Sequence, residues 1–115
     1  MNIIPDFDNS ELSTIRAILK ARYRRDLDIQ LADSELRLQP TDRELTWCPT
    51  VFWQVLPVSF VVCKTAPERY RCQFFYSANE QYGTGIEEYT ILASCVTTLL
   101  QMQADHASRD QETNV

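Results

Sequence analysis

Residues Trp47–Tyr76 read WCPTVFWQVLPVSFVVCKTAPERYRCQFFY, a run with the composition of β-strands. It holds both tryptophans, four of the five phenylalanines and three of the four cysteines. Runs so rich in β-branched and aromatic residues favour strands. Val51 to Val55 and Val58 to Cys63 are two such runs on either side of Pro57. Proline cannot donate to a sheet ladder, so Pro57 is expected at a bulge or edge position within one bent strand. Lys64 to Arg69, KTAPER, reads as a polar turn. Beyond it Tyr70, Cys72, Phe74 and Tyr76 alternate with Arg71, Gln73, Phe75 and Ser77, a strand with one apolar and one mixed face.

Toward the N-terminus, Leu27, Ile29, Leu31, Leu36 and Leu38 alternate with polar residues around Ala32-Asp33-Ser34-Glu35, which predicts a β-hairpin. Before it Leu12, Ile15, Ile18, Leu19 and Tyr23 recur at helical spacing. Asp8, Asn9 and Ser10 are candidate caps for that helix, and Lys20, Arg22, Arg24 and Arg25 suit its C-terminal dipole.

Toward the C-terminus, Ser77 to Gly83 reads as a loop. Thr84-Gly85-Ile86-Glu87 matches a capping box, which predicts a helix beginning there. Ile86, Tyr89, Leu92, Ala93, Val96, Leu99, Leu100 and Gln103 form its apolar stripe. Residues 105–115 lack periodicity and are expected to be a disordered tail behind a single domain over 1–104. The order predicts an α+β two-layer sandwich: an antiparallel sheet of about four strands with N- and C-terminal helices on one face.

Composition excludes several function classes. The net charge of −5 and pI near 4.7 oppose a general attraction to phosphate backbones. The N-terminal MNIIPDFDNSE lacks a basic start and a long apolar run, and no stretch approaches membrane-spanning length, so a cytoplasmic protein without membrane association is expected. Cys48, Cys63, Cys72 and Cys95 form no C-x-x-C pair and sit among apolar neighbours, as reduced buried thiols do. Their gaps do not suit zinc, and His106, the lone histidine, falls in the expected tail. Asp6 to Glu11 begins like a calcium loop, but its sixth and twelfth positions hold Glu11 and Ala17 where glycine and glutamate are needed. Gly83-Thr84-Gly85 lacks the third glycine of a dinucleotide fingerprint, that position being Glu88. No metal, cofactor or catalytic residue is assigned, and an enzyme is not the favoured reading.

What remains is an excess of apolar strand. Alternation puts Val51, Trp53 and Val55 on one sheet face and Phe52 on the other, while Val58, Phe60 and Val62 oppose Ser59, Val61 and Cys63. Two helices cover one face, so the other is expected to stay apolar and to meet a protein partner or a second copy. Trp53, as central anchor, with Val51, Val55, Phe52, Trp47 and Phe75, is the expected contact set of such an adaptor or chaperone-like homodimer. One alternative is a small-molecule-binding or thiol enzyme with a pocket between sheet and helices lined by Trp47, Trp53, Cys63 and Cys72. A second is nucleic-acid binding through Arg16, Lys20, Arg24 and Arg25 on the first helix, which the acidic balance makes the less favoured.

Overall fold

A computed structural model describes residues 4–113. Helix α1 (Asn9–Tyr23) is followed by strands β1 (Gln30–Leu36), β2 (Thr46–Val55), β3 (Val58–Ala66), β4 (Arg69–Ser77) and β5 (Glu80–Tyr82), and then by helix α2 (Leu92–Thr113). The strands form an antiparallel meander in the order β1-β2-β3-β4-β5, with both helices on one face. This is the expected α+β sandwich with five strands in place of about four.

The differences have local causes. Residues expected to form a hairpin over 27–38 give the single strand β1, because every residue of Gln30–Leu36 pairs with β2. Pro57 does not lie within one bent strand. Val55 pairs with Val58, so Leu56 and Pro57 are a tight turn, where proline costs no ladder bond. The expected turn at Lys64 starts later, since Lys64 and Thr65 continue β3 and are buried. Ser77 to Gly83 includes β5.

Thr84 does not cap a helix. Its Oγ1 lies 2.6 Å from the Tyr89 hydroxyl and accepts from the Ile86 amide at 3.3 Å. Tyr89 then pairs by its backbone with Tyr70, extending the β4 edge, and α2 begins only at Leu92. Gly85 makes the bend possible with φ +87°. The capping box lies at α1, where Asp8 accepts from the Glu11 amide and Glu11 from the Asp8 amide, each at 2.8 Å.

Register builds the core. Trp53, Phe60, Phe74 and Tyr82 are successive cross-strand partners through β2, β3, β4 and β5. Their rings follow one another at centroid separations of 5.3, 6.4 and 5.4 Å. Leu12, Ile15 and Leu19 of α1 and Leu92, Cys95, Val96, Leu99 and Leu100 of α2 close over them at helical spacing. The expected disordered tail is instead the last part of α2, which continues unbroken to Thr113. His106 packs 4.3 Å from the Tyr82 ring and 5.8 Å from the Phe74 ring. Residues 114 and 115 lie outside the described ones.

One buried polar cluster ties the layers together. Lys64, only 5% exposed, donates to Glu11 Oε1 at 2.8 Å and to the Asp6 carbonyl at 3.2 Å. The Tyr70 hydroxyl donates to the other Glu11 oxygen. Burial disfavours the Glu11 charge, but hydrogen bonds from Lys64 and Tyr70 and the Asp8 amide outweigh it together and hold the carboxyl below its ordinary value of 4.5. Burial, and then the bond to this carboxylate, push the Tyr70 phenol well above its usual range.

Removing either member of the Lys64–Glu11 pair leaves the other largely buried without its counter-charge, a loss of about 3–5 kcal/mol. Lys64→Ala is therefore expected to lower the urea midpoint strongly. A carboxyl with a depressed folded pKa stabilises the fold above the unfolded value, and that stabilisation fades as pH falls through the folded one. Stability of the wild type should decline with acid below about pH 4.5, and Glu11→Gln should flatten this decline in urea titrations at several pH values. Truncation after Ala104 removes the His106 packing and should lower the midpoint measurably, where an unstructured tail would leave it unchanged.

Candidate functional site

The face of the sheet turned away from the helices is built in rows by the same register. Gln30, Phe52, Val61 and Gln73 form one row across β1 to β4. Ala32, Thr50, Cys63 and Arg71 form the next. On the other side Gln54, Ser59, Phe75 and Gln81 run from β2 to β5. The expectation that this face would be apolar throughout is corrected by these rows. Its apolar part is Phe52 beside Val61, with Phe75 diagonal to Val61, inside a frame of amides and hydroxyls.

Part of this face is roofed. Arg71 reaches across to donate to the Leu38 carbonyl at 2.8 Å and the Arg37 carbonyl at 3.4 Å, holding the β1–β2 loop. Its Nε lies 3.5 Å from Glu88, whose carboxylate also accepts from Arg69 and Thr65 at 3.0 Å each. Burial disfavours the Glu88 charge, but Arg69, Thr65 and Arg71 more than offset it and hold the carboxyl below its ordinary range. Between this clamp and the open sheet lies a groove of about 460 Å³, with Val61, Cys63, Gln73 and Phe75 among its lining and Leu36 and Ile86 at its walls.

The expected contact residues are divided by the fold. Val51 and Trp53 face the helices, and Trp53 is 1% exposed, so neither reaches a partner. Val55 is half-buried against the same core. Trp53 as anchor is thereby corrected: the helices chose its face because that face carries the continuous aromatic row. Phe52 and Phe75 lie on the open face, half-buried. Trp47 shares the Trp53 side of β2 by alternation but lies beyond the helices and is 63% exposed. Val61 and Ile86 belong to the groove and were not in the expected set; strand alternation alone would have found Val61.

The pocket expected between sheet and helices is not assembled by its four residues. Trp53 and Cys72 point to the helices, Cys63 lies on the opposite face and Trp47 is at the surface. Burial pushes the Cys48 and Cys63 thiols up, and contact with Cys72 followed by burial pushes Cys95 up. A nucleophilic thiol needs the opposite shift. Arg16, Lys20, Arg24 and Arg25 are all exposed, Arg16 in the middle of α1 and the others around its end, where Lys20 lies 3.6 Å from Asp26. Arg24 ends the helix in a left-handed conformation, its amide donating to the Lys20 carbonyl at 2.8 Å. Among the described residues no cluster of three or more His, Cys, Asp or Glu side chains is placed to hold a metal ion, and no helix is long and apolar enough to cross a membrane.

All four cysteines carry free thiols. Cys48 and Cys95 are fully buried, so a thiol reagent should leave both untouched in the native protein and modify all four once urea unfolds it. Mass spectrometry after a labelling pulse reads this directly, and rapid native labelling of Cys95 would contradict its packing between α2 and the sheet.

No family model matches this chain, and neither curated proteins nor solved structures show a match to it.

Proposed function

We propose that this protein is a non-enzymatic interaction module that forms a homodimer, or docks a protein partner, through the sheet face opposite its helices. The observation that carries this reading is the Phe52–Val61–Phe75 patch, which no helix covers and which continues into the groove beside Ile86. Apolar side chains grouped on an otherwise polar surface mark contact sites. The polar rows around them supply the rim that a reversible interface needs. Two copies meeting through one such face form an isologous contact, in which each patch is complementary to itself. The raised thiols and the separation of the two tryptophans favour this reading over a thiol enzyme.

Sedimentation velocity tests it. The wild type should sediment as a dimer, and Val61→Glu should yield a monomer with an unchanged circular dichroism spectrum. Trp53→Glu should unfold the protein, because it places a charge in the core. A wild type that stays monomeric at high concentration and purifies without a partner would defeat the reading.

A further inference from the structure

The two edges of the sheet are treated differently. On one side β5 is only three residues long, its pairing with β4 is broken by a register shift, and Tyr89 pairs with Tyr70 near the start of the β4 edge. Short strands, bulges and covering segments are the usual means of blocking an edge. On the other side β1 runs for seven residues in unbroken register and pairs, among the described residues, with β2 alone. It contains no proline or lysine, and Gln30 to Asp33 are all exposed. Its outer backbone groups form a template for one more strand.

The side chains define what that strand would be. Leu31, Asp33 and Glu35 share one face of β1, and Trp47 lies directly across from Glu35 on β2. Leu31 is 64% exposed, and no helix reaches it or Trp47. The face therefore offers two carboxylates and two apolar groups, with no cation on the strand itself. A second copy fits poorly. Antiparallel pairing of all seven residues sets Asp33 against Asp33, a shift of two residues one way sets it against Glu35, and the opposite shift sets it against Leu31, so no register gives either carboxylate a cation. Like charges directly opposite one another are destabilising in a ladder. The opposite face of β1, with Gln30, Ala32 and Ser34, is small and polar and places little constraint on a neighbour.

We infer that β1 is a docking edge for an extended cationic segment of another protein, in which lysine or arginine faces Asp33 and Glu35 and an apolar residue sits by Leu31. Main-chain bonds along the edge supply affinity, and the alternate side chains supply selectivity. The surface is separate from the Phe52–Val61–Phe75 face, so the two can act independently.

A labelled synthetic peptide the length of β1, with threonines alternating with one valine and two lysines, is the probe. Fluorescence anisotropy should show it binding while amide exchange in β1 slows, and the same peptide with glutamates for lysines should not bind. The double variant Asp33→Lys, Glu35→Lys should weaken the lysine peptide at least about tenfold and gain affinity for the glutamate peptide. Glu80→Lys, Asp105→Lys makes the same change in net charge elsewhere and should leave affinity within about twofold. Val61→Glu should also leave it unchanged. Peptides N-methylated at the threonines, or at the alternate positions, lose the ladder bonds of one edge or the other, and one of them should fail. No binding up to about 1 mM, an equal loss in the Glu80/Asp105 variant, or full binding by both methylated peptides would overturn the inference. Protection of β1 amides in a peptide-free dimer would also overturn it, assigning the edge to a second copy.

Discussion

The structure depends on one register. Trp53, Phe60, Phe74 and Tyr82 stand side by side only if four strands align to the residue, because a slip by one turns a strand's whole apolar set to the other face. Offset and tilted rings add to the area they bury, so the row resists such slippage better than separate side chains would. Once it is in place, the face it occupies becomes the one the helices must cover. His106 extends the aromatic contacts from α2, joining the end of the chain to the sheet.

The second organising contact is polar. Glu11 belongs to the capping box of α1, but it also receives the buried Lys64 ammonium and the Tyr70 hydroxyl. A cation removed from water is tolerated only when its donors are satisfied, and Lys64 has Glu11, the Asp6 carbonyl and the Phe7 ring about it. Helix start, N-terminal segment and the ends of β3 and β4 are thus joined in one place. Such a cluster specifies how α1 sits on the sheet, which the apolar stripe alone leaves loose.

These constraints shape the surfaces that remain. Arg71 and Glu88 draw the β1–β2 loop and the segment before α2 over part of the open face, leaving Phe52, Val61 and Phe75 as its apolar portion. β5 and Tyr89 cover parts of one edge, and β1 leaves the other open. A docking face and a docking edge are therefore supported by different features, the first by what the helices do not cover and the second by unpaired backbone.

The α+β class, both helices and the strand character of Val51–Tyr76 were legible in the sequence, because period and composition act locally. The Leu12, Ile15 and Leu19 stripe and the alternation about Phe74 needed no partner to be read. Of the site, Phe52, Phe75 and Trp47 were visible as apolar strand residues, but not which of them would stay uncovered. Local signals misled where another segment competed. Thr84 had the chemistry of a cap, yet Tyr89 gained more by pairing with Tyr70, so the helix began later. The end of α2 looked polar and structureless, but His106 found aromatic rings contributed by β4 and β5. Alternation along β2 was enough to sort Trp53 and Phe52 onto opposite faces. Which face the helices would take, and the burial of Lys64, were settled by packing, because both depend on contacts between residues far apart in the chain.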